Sequence, residues 1–174
     1  MGISSTLSKK SGQAMLYNFL LNEVLASQLA GEYEFWIVAP WVTNFCLDRP
    51  YYVGFQEIVE TKHESLHLFD ILHQIAANGG RIKIVVGSDK KYYDALQQLG
   101  QKSDRISVRF LNSLHTKAYV GRYGALDGSL NLTHGGVNQN SELYTYYHDS
   151  CHLAQLKKIC QENFEKGEPL KNAI

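Results

Sequence analysis

The 174-residue chain has the length of about one domain, on a prior of roughly 100–200 residues per domain. Its 44% hydrophobic and 20% charged residues are ordinary globular usage, which excludes disorder, a collagen-like repeat and a disulfide scaffold. Lys+Arg and Asp+Glu balance at 17 each, so no global field attracts nucleic acid, and any phosphate contact has to come from a local patch.

At the N-terminus Met1-Gly2-x-x-x-Thr6 fits an acylation signal, against which a plain flexible terminus is the favoured reading. Residues 1–30 are expected as an N-terminal helical extension of a single domain spanning 1–174. Its helix, over about 13–30, has an apolar stripe of Met15, Phe19, Leu20, Val24, Leu25 and Leu29, and Gly31 ends it. Glu34-Phe-Trp-Ile-Val-Ala-Pro40 reads as a buried strand stopped by proline. Residues 41–60 are aromatic and irregular: a long functional loop, or a loop with a short strand.

A second helix is expected from about Lys62 to Ala77, with Leu68, Ile71, Leu72 and Ile75 as its stripe and Asn78-Gly79-Gly80 as its end. Arg81–Gly87 reads as a strand, Lys91–Leu99 as a helix closed by Gly100, and Ile106–Leu111 as an alternating strand. Two short strands follow around the turn Arg122-Tyr-Gly124, and a last helix covers about Cys151–Phe164. Strands alternating with helices predict an α/β fold, a mixed sheet flanked by helices. No apolar run approaches the roughly 18 residues of a membrane span, and no secretory leader is evident. Cys46, Cys151 and Cys160 match no zinc spacing and suggest free thiols in a reducing compartment, with the cytoplasm as the expected location.

The chemistry concentrates in residues 114–142. His115 and Lys117 are two apart, so on a strand they share a face. Ser129 and Asn131 repeat that spacing on the expected neighbouring strand. One patch then holds a nucleophile, a cation and two hydrogen-bond donors, which suits a tetrahedral oxyanion such as phosphate. Imidazole, with an ordinary pKa of about 6.5, is a competent nucleophile near neutrality, and a covalent phosphohistidine splits a slow phosphodiester hydrolysis into two easier steps. Lys117, Ser129 and Asn131 would bind the nonbridging oxygens. Glu142 would accept the proton of the other His115 nitrogen and fix its tautomer. Thr133 reads as a structural cap.

His115-x-Lys117, then Gly128-Ser129-x-Asn131-x-Thr133, then Asn140-x-Glu142 resembles the phospholipase D superfamily, the HKD phosphodiesterases, over about residues 30–165. Arg122 stands where the family motif carries an Asp; Asp127 is nearby but offset and is not promoted to that role. Family sites use two such motifs, and this chain has one. The resemblance therefore implies a homodimer with the active site on its two-fold axis, acting as a metal-independent, cofactor-free nuclease on DNA or RNA. Short single-motif members are typically nucleases, some linked to restriction or phage defence, which adds a defence complex as a candidate partner. Two other readings stay open: a catalytically silent or partner-dependent nucleic-acid-binding subunit, made possible by Arg122 and the zero net charge, and a phospholipid hydrolase. No membrane association is expected.

A rival motif, His63-Glu-Ser-Leu-His67, matches the helical zinc-protease pattern, but no third ligand follows at a suitable place. His63 and His67 are instead candidates for the cleft rim, since this helix begins at the carboxyl end of a strand. Trp41, Arg49, Tyr51, Tyr52 and Phe55 would stack on bases if exposed, with packing the favoured reading. Lys90, Lys91, Arg105 and Arg109 read as solvated faces rather than phosphate contacts.

Overall fold

The computed structural model describes residues 3–5, 9–30, 32–60 and 65–170. Met1, Gly2 and Thr6 of the acylation pattern, and His63, lie outside them. In chain order the elements are β1 (Ile3–Ser5), α1 (Lys9–Ala30), β2 (Glu34–Val38), α2 (Arg49–Tyr52), α3 (Leu68–Ala77), β3 (Arg81–Val86), α4 (Tyr93–Gln101), β4 (Ile106–Phe110), β5 (Ala118–Val120), β6 (Ala125–Gly128), α5 (His134–Asn138), β7 (Tyr144–Tyr147), α6 (Ser150–Lys166) and β8 (Glu168–Pro169). All eight strands join one sheet in the order β1-β7-β6-β5-β2-β3-β4-β8. β2, β3 and β4 pair in parallel, and every other pairing is antiparallel. The expected mixed sheet flanked by helices is the fold observed.

β2 is apolar after its first residue because both its faces are covered. Phe35 and Ile37 enter the core shared with α1, α3 and α4. Trp36 and Val38 enter a second, smaller core with Leu156 and Cys160 of α6. Ile37, Ile71 and Ile84 are fully buried, each worth about 1.5–3 kcal/mol against exposure.

Three expected helices differ from their sequence reading. α1 buries Leu16, Tyr17, Phe19, Leu20 and Val24, but Leu25 is 39% and Leu29 86% exposed. The buried face passes instead through two polar residues, Glu23 and Ser27. Ser27 is satisfied by donating to the Val24 carbonyl and accepting from Asn78 Nδ2 at 2.8 Å. α1 is thus part of the main core. α3 begins at Leu68 rather than near Lys62. His67 is its N-cap in extended conformation, and it shares a reciprocal capping box with Asp70, whose carboxylate accepts the His67 N–H at 2.9 Å. That box starts the helix at Leu68, so His67 caps the helix and does not lie on its face. Gly100 lies inside α4 rather than ending it. Thr133 caps α5 as expected, its hydroxyl accepting the Gly136 N–H at 3.0 Å.

Candidate active site

Strand register brings the motif residues together. Ala118 pairs with Asp127, so the start of β5 lies beside the end of β6. Gly128 pairs with Tyr144, so the start of β7 joins them. Val38 pairs with both Ala118 and Val85, which places this end of the sheet at the carboxyl ends of parallel β2 and β3. His115 and Lys117 precede β5, Ser129 and Asn131 follow β6, and Glu142 precedes β7. Five residues spread over 28 positions of sequence thus meet at one sheet end, where α/β folds place their ligands. None of the five lies on a strand, contrary to the expectation for His115, Lys117, Ser129 and Asn131. The pairing stops one residue short of Lys117 and at Gly128. Gly128 has φ +147°, which turns the chain away from the ladder.

His115 is exposed, and its imidazole has no hydrogen-bond partner among the described residues. The Lys117 ammonium donates to the His115 main-chain carbonyl at 2.9 Å and pairs with no carboxylate among the described residues. Asn131 is only 8% exposed, and its Oδ1 accepts the Trp41 N–H at 3.3 Å. The Thr43 N–H to Leu132 carbonyl bond, 2.8 Å, ties the same loop to the site.

Glu142 is placed differently from the expectation. Its carboxylate accepts from the Ser129 hydroxyl and from Asn140 Nδ2, the latter at 3.3 Å, and not from the His115 ring. The reason is strand order: β7 borders β6, which leads to Ser129, while β5 and His115 lie one strand further away. Ser129 Oγ also accepts the Leu143 N–H at 3.0 Å. Its proton is therefore committed to Glu142 in this arrangement. Burial first, and the Glu142 charge second, push the Tyr119 phenol well above its ordinary range. The Tyr144 phenol is raised too, by burial and then by Tyr17 and Glu142. Both stay neutral beside the site.

The other candidates sort by position. His67 lies at this sheet end, because α3 returns from β2 to the parallel β3 and so starts there; the Phe69 N–H donates to Asn44 Oδ1 of the loop at 2.8 Å. Trp41 is 47% exposed beside Asn131, whereas Phe55 is buried in the core. Arg105 donates to the Gly79 carbonyl at 2.9 Å, and Arg109 to the Phe164 carbonyl at 2.8 Å, so both serve the scaffold. Lys90 and Lys91 are exposed. Among the described residues no cluster of three His, Cys, Asp or Glu side chains could hold a metal ion, and no helix is long and apolar enough to cross a membrane. Sequence reasoning missed the Trp41 backbone contact and the buried Glu23; neither lies near the motif in sequence.

The comparisons with known proteins agree with this fold. No curated protein matches the chain. Among solved structures, Nuc from Salmonella typhimurium, a phospholipase D family member, superposes with a TM-score of 0.59 at 13% identity, over 87% of this chain and 88% of that one. NucT from Helicobacter pylori gives 0.59 at 14% identity, over 89% and 93%. TrmBL2, an archaeal chromatin protein, gives 0.53 at 16% identity, over 88% of this chain but 51% of its own. The family model described as the cardiolipin synthase, PLD-like domain matches residues 53–166, which include every motif residue. With the fold and the motif order in agreement, the chain belongs to this PLD-like domain family of the phospholipase D superfamily.

Proposed function

We propose that the chain is a metal-independent phosphodiesterase, a nuclease acting on DNA or RNA as a homodimer through a phosphohistidine at His115. The observation that carries this reading is the convergence at one sheet end of the Asn131 amide with an imidazole that is unpartnered, and a lysine that has no acid partner, among the described residues. Lys117 and the Asn131 amide nitrogen face no competing hydrogen-bond acceptor side chain among the described residues, which suits an anionic, oxygen-rich ligand. A ring nitrogen of His115 attacks phosphorus, and the bond to the leaving oxygen breaks. The second copy's histidine gives that oxygen its proton. In the second step the same histidine takes a proton from water, the hydroxide oxygen bonds to phosphorus, and the P–N bond breaks. Lys117 and Asn131 stabilise the charge on the nonbridging oxygens. Glu142 orders Ser129 and Asn140 around them.

A second reading, a nucleic-acid-binding subunit without turnover, is favoured by the likeness to TrmBL2, described as showing a novel mode of DNA binding. The family description also names cardiolipin synthase, which makes phospholipid a substrate to test. The experiment incubates the purified chain with single- and double-stranded DNA and RNA, and with anionic phospholipid vesicles, in excess EDTA. His115→Ala runs beside it. Nucleic-acid cleavage lost in the variant is expected. Salt-dependent binding without cleavage favours the second reading, and lipid turnover alone moves the substrate to the membrane. Cleavage retained by His115→Ala refutes the assignment of the nucleophile.

A further inference from the structure

Glu23 is the one carboxylate among the described residues that lies in the protein interior, 1% exposed on α1. Its Oε2 accepts the main-chain N–H of Arg122 at 3.1 Å. The N–H of Tyr123 also favours its anion, and the Tyr33 hydroxyl donates to the Glu23 main-chain carbonyl at 2.9 Å. The carboxylate is seated against bare backbone: a Cβ on Gly121 would lie 2.0 Å from it. The residues it meets, Gly121 to Gly124, form the turn that joins β5 to β6, closed by a Gly121 N–H to Gly124 carbonyl bond of 2.9 Å.

That turn is poorly specified by its own sequence. The favoured two-residue hairpin turns need positive φ at their centre, supplied by Asn-Gly or Asp-Gly. Arg122 and Tyr123 are neither, and neither has positive φ. Arg122 and Tyr123 offer the turn no carboxylate of their own. The acid arrives instead from 99 residues earlier. Hairpin register follows from its turn, and the free ends of this hairpin carry the candidate site.

We propose that Glu23 is a positioning residue for the active site: from α1 it holds the Arg122–Tyr123 turn, and through it sets the hairpin whose ends bear His115, Lys117, Ser129 and Asn131. This rests on the reading of those four residues as the phosphate site. The turn itself is at the opposite end of β5 and β6 from the chemistry, so Glu23 acts on substrate only through the hairpin.

The test compares the parent chain with Glu23→Gln, which keeps an acceptor oxygen, and Glu23→Ala, which does not. Amide hydrogen exchange reads the hairpin directly. Glu23→Ala should lose about tenfold or more of its protection over residues 119–126 while the β2–β3 pairing keeps its own; Glu23→Gln should stay within about threefold of the parent. On nucleic acid, kcat should fall about tenfold in Glu23→Ala, with KM changed less and Glu23→Gln restoring it. Gly121→Ala is a second variant that displaces the carboxylate without removing it, and it should reproduce the local loss of protection. Unchanged protection at 119–126, or a loss spread evenly over the whole chain, overturns the proposal. So does a kcat in Glu23→Ala equal to the parent's. A parent chain that cleaves nothing counts against the nuclease reading alone, because the exchange pattern still decides the role of Glu23 in the hairpin.

Discussion

Between about pH 4.5 and pH 7 the fold should lose stability through a single side chain. Burial lifts the Glu23 carboxyl from its ordinary 4.5 to about 7, against the opposing pull of the Arg122 and Tyr123 N–H groups. In the unfolded chain the group ionises near 4.5; in the fold it keeps its proton to about 7. Through that window the unfolded state binds fewer protons than the native state. The stability is therefore fullest below pH 4.5, falls as pH rises, and levels off above about 7. At about 1.36 kcal/mol per pKa unit, the displacement from 4.5 to about 7 amounts to about 3 kcal/mol. The Tyr33 and Tyr146 phenols beside Glu23 are both raised, by burial first and the Glu23 charge second, so neither titrates in this range. Urea unfolding of the parent and of Glu23→Gln, at pH values from about 4.5 to about 8, isolates the effect. Contributions from Asp127, raised by burial, and from Asp149, held at about 2 by hydrogen bonds from His152, cancel in the difference. The parent should lose about 3 kcal/mol relative to the variant across the window. A difference that is flat with pH refutes the burial argument.

Gly128→Ala should destabilise the chain by about 1–3 kcal/mol. Its φ is +147°, and the new Cβ would lie 2.2 Å from the Leu143 carbonyl; a thermal midpoint equal to the parent's would show that the β6–β7 end can relax. The thiols should separate by burial. Cys46 and Cys151 are exposed, whereas Cys160 is buried and its thiol is pushed up to about 12 by burial. A disulfide reagent should therefore titrate two thiols in the native chain and the third only in denaturant; three rapid reactions would contradict the packing of α6. Ser129→Ala should lower kcat/KM by freeing Glu142 and the Leu143 N–H, with little change in the exchange protection of β2 and β3. Kinetics equal to the parent's would remove Ser129 from the site.

The parallel strands were legible because β2 and β3 are apolar runs between Gly or Pro punctuation and β4 alternates. β2, β3 and β4 end within a residue or two of the sequence reading. The motif was legible because His115, Lys117, Ser129, Asn131 and Glu142 are chemically distinctive and fixed in spacing. Other features left no local signal. β1 and β8 are edge strands of three and two residues, too short for any period to register. The start of α3 depends on the reciprocal bonds of His67 and Asp70, which make a cap of a residue that periodicity assigns to the helix.

Sequence alone determined the α/β class, the family resemblance and which side chains are candidates for the chemistry, because apolar period and residue type are local properties. Tertiary structure decided which of those side chains meet. The order β7-β6-β5 gives Glu142 to Ser129 and not to His115. The packing of α1 brings Glu23 onto a turn 99 residues away. Both contacts follow from how strands and helices are ordered in space, and a chain read one window at a time carries no record of that order.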